Sequence, residues 1–181
     1  MTMRTQKRLT ALLVMCFALA ATCVHAAEWE LTWAEEFEKE GMPHPERWTY
    51  EEGFVRNREQ QYYTKARKKN AQVKDGMLVI TARKEQYRNP GYDPDAEEKT
   101  WRNSREHARY TSASVTTKGK VSWRYGRIEV RAKLPTGRGM WPAIWMLGTN
   151  IGDVGWPECG EIDIMEYVGH QPKIIHGTVH T

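Results

Sequence analysis

The sequence is poor in cysteine: Cys16, Cys23 and Cys159 are the only three in 181 residues. The first two lie in an apolar stretch near the N-terminus. A chain left with Cys159 alone has no internal disulfide framework, so packing must stabilise it. The longest apolar run, "LTALLVMCFALAATCV", is short for a bilayer-crossing helix and is followed at once by polar sequence. A convincing long amphipathic helix, a repeat of fixed period and a low-complexity tract are all missing, which argues against a helical bundle or a repeat array.

Strong net charge is also missing. The 27 basic and 23 acidic residues give a formal charge of +4. The basic opening "MTMRTQKR", the apolar run and the small-residue stretch at Val24-His25-Ala26 have the form of a secretory signal peptide over residues 1–26. Its removal takes Arg4, Lys7 and Arg8 but no acid, leaving 24 basic against 23 acidic residues and a charge of +1. A nucleic-acid partner is therefore not expected, nor is a membrane span after signal cleavage. The expected location is secreted or periplasmic.

What is present reads as β throughout residues 27–181, which are expected to form one domain. "VKDGMLVITARKE" carries an Asp75-Gly76 turn signal feeding a strand from Met77 to Ala82. "YTSASVTTKGKVSWRYGRIEVRAKLP" predicts two strands joined at Lys118-Gly119, the second ending at Pro135. "MWPAIWMLG", "GEIDIMEYVG" and "KIIHGTVHT" predict three more, and Gln86 to Arg109 a long surface loop. Many short strands with polar loops predict a sandwich or jelly roll. The sequence stops at Thr181 inside a strand pattern, so the domain is expected to be incomplete, with C-terminal strands missing.

"GEIDIMEYVG" places Glu161, Asp163 and Glu166 among apolar residues. A helix would set Glu161 and Asp163 about 200° apart, whereas a strand suits the isoleucines and puts both carboxylates on one face. Glu166 has the wrong parity and joins that face only if a β-bulge near Ile164 or Met165 loops out one residue. Gathering like charges raises the pKa of one carboxyl and keeps another ionised. That split supplies an acid and a nucleophile side by side, as retaining glycoside hydrolysis requires. A metal site and a charged edge remain alternatives from the motif alone, although a strand offers few of the extra oxygens that calcium needs.

Together with "YGRIEVRAKLP", "WPAIWMLG", "NREQQYY" and "HGTVHT", this motif resembles glycoside hydrolase family 16, in particular its bacterial endo-β-1,3-glucanases, the laminarinases. The resemblance runs from about Trp29 to Thr181, with the motifs in the family's order. It implies an all-β jelly-roll sandwich, concanavalin-like, with a glucan cleft across the concave sheet. It assigns Glu161 as nucleophile, Glu166 as general acid/base and Asp163 as the helper that orients Glu161. The implied activity is that of a retaining endo-β-1,3-glucanase. The implied partner is β-glucan, and a monomer is expected. No cofactor is required for catalysis, and a structural calcium away from the cleft is possible in the family. The alternatives are a non-catalytic glucan-recognition domain, a mixed-linkage glucanase and a transglycosylase on the same fold.

Sugars present apolar C–H faces ringed by hydroxyls, so aromatic platforms beside charged groups are sought for the rest of the cleft. Trp141 and Trp145 share strand parity, and Trp156 sits in a Gly/Pro-rich loop; core packing is the competing role for each. Arg127, Glu129 and Arg131 alternate with apolar residues, which by itself fits a solvated sheet face; the resemblance turns Glu129 and Arg131 toward sugar hydroxyls. It also points to Asn57, from a pattern that includes Glu59 and Gln61, and to His180, while His176 is read as satisfying a buried hydrogen bond. Cys159 is read as a small buried hydrophobe without chemistry. Ser114 stands where relatives commonly carry arginine.

Overall fold

The computed structural model describes residues 28–181, so the signal-peptide reading of residues 1–26 lies outside the described residues. The chain divides into two compact units, Met1–Glu36 and Phe37–Thr181. Residues 28–36 of the first form no helix or strand, and Trp29 and Leu31 are exposed.

The second unit is all-β apart from one helical turn. Its strands are β1 (Thr49–Glu51), β2 (Gln61–Tyr63), β3 (Ala71–Lys74), β4 (Met77–Ile80), β5 (Arg83–Arg88), β6 (His107–Ser112), β7 (Ser114–Thr116), β8 (Ala143–Leu147), β9 (Glu161–Glu166) and β10 (His176–His180). The turn α1 spans Ile151–Val154. β3 and β4 form a hairpin that pairs Lys74 with Met77. Its two-residue turn has Asp75 at φ 54° and Gly76 at φ 70°. Two positive φ values define the type I′ turn whose twist matches the flanking strands, and Asp-Gly is among the few pairs that tolerate it.

The buried aromatic core lies on the sheet ordered β2-β6-β5. Phe54, Tyr62 and Ala108 are fully buried, and Tyr87 and Trp101 pack against them. Phe54 meets the Tyr62 ring edge-on at 5.6 Å between centroids. Under the same sheet a polar cluster is completely satisfied. Asn70, with no exposed surface, accepts from Thr64 Oγ1 (3.0 Å) and Arg67 Nη1 (2.9 Å), and donates to Thr81 O and Thr111 Oγ1 (3.0 Å each).

Two strand expectations need correction. Arg83–Arg88 and His107–Arg109 belong to β5 and β6, so the surface loop is confined to residues 89–106. That loop is organised from its first residue: Asn89 Nδ2 donates to the carbonyls of Arg102 and Arg105, and its Oδ1 accepts from Gly91 N. The predicted strand through Pro135 is not formed. Residues 121–135 join no strand ladder among the described residues, and a strand exists only through the ladder that satisfies its backbone. Ile128 and Val130 are accordingly exposed with the charges that alternate with them.

Candidate active site

The sheet ordered β10-β9-β8 carries the three carboxylates. Against β8, Glu161 pairs with Leu147, Asp163 with Trp145 and Glu166 with Ala143, and the register slips between Ile144 and Trp145. Against β10, Glu161 pairs with His180, Asp163 with Thr178 and Glu166 with His176, again with a slip between Asp163 and Glu166. On both sides the ladder skips Ile164, which is therefore the bulged residue of β9. Ala143, Trp145 and Leu147 alternate regularly on β8, as do His176, Thr178 and His180 on β10, so each trio shares one face. Paired residues point the same way, and Glu161, Asp163 and Glu166 consequently line that same face. The bulge near Ile164 expected from parity is present.

Gly160 opens the strand at φ 76°, a conformation glycine adopts without strain. Cys159 lies before it in the turn, half-buried where full burial was expected, and its Sγ donates a weak hydrogen bond to Gly160 O at 3.6 Å.

The electrostatics differ along β9. Asp163 is 6% exposed, and its Oδ2 is buried without a hydrogen bond, although His180 Nε2 stands 3.3 Å away. The same imidazole nitrogen is 3.8 Å from Glu161 Oε1. Burial first, and then the charge of Asp163, push the Glu161 carboxyl above its ordinary pKa, while His180 and a hydrogen bond with Trp156 pull it down. Trp156 also packs its ring against His180 at 5.7 Å. At the far end of the strand, Trp141 Nε1 donates to Glu166 Oε1 at 2.9 Å. His176, half-buried, bonds Gln171 Oε1 at 3.0 Å.

The expected cleft residues divide. Trp141, Trp156 and His180 touch the carboxylates, and Trp145 shares their face. Glu129 and Arg131 are not brought to the site: both are exposed on the unpaired segment, where Glu129 pairs with Arg127 at 2.5 Å. Alternation placed them on one face, but without a neighbouring strand nothing fixes where that face points. Asn57 is exposed in a turn at φ 53°, with no bond to the carboxylates. Its neighbour Arg56, missed by sequence reasoning, packs its guanidinium 5.0 Å from the Trp145 ring centroid. No local signal marks that contact, because it joins residues far apart in the chain.

Glu161, Asp163 and His180 are also the one group among the described residues dense enough to hold a cation, with ligand atoms within 4.8 Å of one another. Two carboxylates and an imidazole do not match the six to eight oxygens of a structural calcium. They also lie on the carboxylate face, not away from it.

Two glutamates on a bulged strand, with a buried aspartate between them and indoles at both ends, supply the kinds of group that glycoside hydrolysis uses. The model of glycosyl hydrolases family 16 matches residues 58–181, and the chain belongs to that family. It is 46% identical over 184 residues to a beta-glucanase of Rhodothermus marinus, covering 99% of this chain and 58% of the relative. With a glucan endo-1,3-beta-glucosidase of Cryptopygus antarcticus the identity is 41% over 165 residues, 90% of this chain and 55% of the relative. Among solved structures it is similar to the laminarinase from Rhodothermus marinus, with a TM-score of 0.72 and 48% identity, over 85% of this chain and 56% of that one. The fold class is the all-β jelly roll. The chain spans about half the length of these relatives.

Proposed function

We propose that the protein is a secreted or periplasmic retaining endo-β-1,3-glucanase acting on laminarin-type β-glucan. The observation that carries this reading is the bulge at Ile164, which turns Glu161, Asp163 and Glu166 to one face of β9. The relatives named as an endo-1,3-beta-glucosidase and a laminarinase support the linkage, and the leader pattern of residues 1–26 supports export.

The roles of the carboxylates follow the family pattern. The Glu161 carboxylate attacks the anomeric carbon, forming a carbon–oxygen ester bond as the glycosidic bond breaks. Glu166 gives its proton to the departing sugar oxygen. Water then attacks the anomeric carbon, loses its proton to Glu166, and displaces the Glu161 carboxylate, so that the anomeric configuration is retained. Asp163 keeps negative charge beside Glu161, and His180 spans the two. Acid, base and nucleophile are all side chains, so no cofactor enters these steps. A non-catalytic glucan-recognition module would not need both glutamates, and both are present.

The test is made on the full-length protein with laminarin, lichenan and agarose. The expected result is that reducing ends are released from laminarin by the wild type and not by Glu161→Gly, and that azide restores chain cleavage by Glu161→Gly with an α-glycosyl azide as the product seen by mass spectrometry. Azide is a nucleophile that occupies the space of the missing carboxylate and attacks from its side. Near-native hydrolysis by Glu161→Gln would sink the assignment. Free sugar acceptors in the assay separate a transglycosylase, whose products would lengthen.

A further inference from the structure

We propose that Arg56 is a sugar-contacting residue of this cleft, held over Trp145 so that its guanidinium, and not that face of the indole, meets glucan hydroxyls. The inference rests on the glucanase reading above. Four observations support it. The Trp145 ring belongs to the face that carries Asp163, its cross-strand partner, and Arg56 Cζ lies 5.0 Å from the ring centroid. A cation at that distance is attracted by the ring and covers it, so this face is closed to a stacking sugar.

The guanidinium is also fixed from behind. Its Nη2 donates to both carboxylate oxygens of Glu51, and Ser114 Oγ donates to the same carboxylate at 2.5 Å. Glu51 and Ser114 are direct cross-strand partners on β1 and β7, so the anchor is part of a sheet. Nε and Nη1 form no hydrogen bond among the described residues, and the side chain is 27% exposed. A guanidinium offers five N–H donors. With one nitrogen committed to Glu51, the others remain for ligand oxygens.

The loop that carries Arg56 is braced as well. Arg102 Nε donates to Phe54 O at 3.0 Å and Nη2 to Val55 O at 2.6 Å. Arg105 Nη1 donates to Glu59 O at 3.2 Å. Three backbone carbonyls around Arg56 are thus clamped by the 89–106 loop, which Asn89 in turn organises. Such clamping places a donor before substrate arrives, and a preorganised donor loses less freedom on binding. The ligand class is a neutral polysaccharide presenting neighbouring hydroxyls, which two donors of one guanidinium can engage together.

The experiment titrates laminarihexaose by calorimetry into full-length Glu161→Gln, with and without Arg56→Met, and measures kcat/KM of Arg56→Met on laminarin. Methionine keeps an apolar stem over Trp145 but removes every donor. A lost hydrogen bond to a charged donor predicts about tenfold weaker binding, and a similar fall in kcat/KM expressed mainly in KM. Arg56→Lys should recover part of the loss, which a purely structural role would not predict. Arg102→Ala should weaken binding in the same direction by a smaller factor. Unchanged affinity in Arg56→Met, with the parent binding normally and circular dichroism showing a folded protein, would overturn the inference. If the wild type ignores laminarin but cleaves lichenan, the linkage assignment fails alone and the comparison is made on a lichenan oligosaccharide. If the parent binds no glucan, both readings fall.

Discussion

Replacing Glu85 by Gln should destabilise the protein at neutral pH and much less in acid. Arg67 Nη1 and Nη2 bond the two Glu85 oxygens at 2.6 and 3.2 Å, and Thr111 Oγ1 donates to the same carboxylate. Those hydrogen bonds, that of Arg67 first, hold the carboxyl at about 2 instead of the ordinary 4.5. The difference of about 2.5 units corresponds to about 3.4 kcal/mol at 1.36 kcal/mol per unit. Glu85 and Arg67 side chains remain 24% and 26% exposed, so solvent screening reduces this to about 1.5 kcal/mol. In a chain of this length that is about 3–6 °C in Tm. Because the folded pKa is depressed, the stabilisation is complete above about 4.5 and disappears as pH falls through about 2. By pH 3 less than half of it should remain. Urea midpoints of wild type and Glu85→Gln between pH 7 and pH 3 measure the convergence. A gap that stays constant over that range would refute the electrostatic account and leave only a packing effect.

Three further outcomes concern the site. Asp163→Asn removes a charge that raises the Glu161 carboxyl, so the acidic limb of the pH–rate profile should move to lower pH while kcat falls; an unmoved limb contradicts the coupling. Trp141→Phe deletes the 2.9 Å bond to Glu166, which at an exposed position is worth about 1 kcal/mol, or about fivefold in kcat/KM; unchanged kinetics would make that contact incidental. Gly148→Ala would bring a Cβ to 2.0 Å from Cys159 O, whereas Gly152 has nothing within 4 Å. The first substitution should cost about 1–3 kcal/mol and disturb the entry to Glu161, with Gly152→Ala as the tolerated control in melting experiments.

How much of this was legible in the sequence depended on how local the cause was. The Asp75-Gly76 turn and the bulge at Ile164 could be read because each follows from a few adjacent residues and the two-residue period of a strand. For Glu129 and Arg131 the same period identifies a face only once a neighbouring strand fixes its direction, and residues 121–135 have none among the described residues. The strand Arg83–Arg88 was hidden for the converse reason: "RKEQYR" looks like loop. It becomes a strand because Arg67 and Thr111, distant in sequence, satisfy Glu85, while Tyr87 packs on Tyr62 at 5.1 Å. Arg56 escaped for the same reason, since its partners Glu51 and Trp145 come from two other elements.

The two best-surrounded carboxylates show how one chain separates support from chemistry. Glu85 receives three donors and is driven down to about 2, so its charge is held firmly and contributes stability. Glu161 is driven the other way by burial and by Asp163, and Asp163 itself keeps a buried oxygen without a hydrogen bond. A buried polar atom left unpaired costs on the order of 1–3 kcal/mol, a cost the fold tolerates on β9 and avoids around Asn70. Adding a donor to Asp163 would relieve that cost, and would also weaken the negative field that distinguishes Glu161 from an ordinary surface glutamate. The unsatisfied oxygen is therefore expected to be retained by function, since stability alone would select against it.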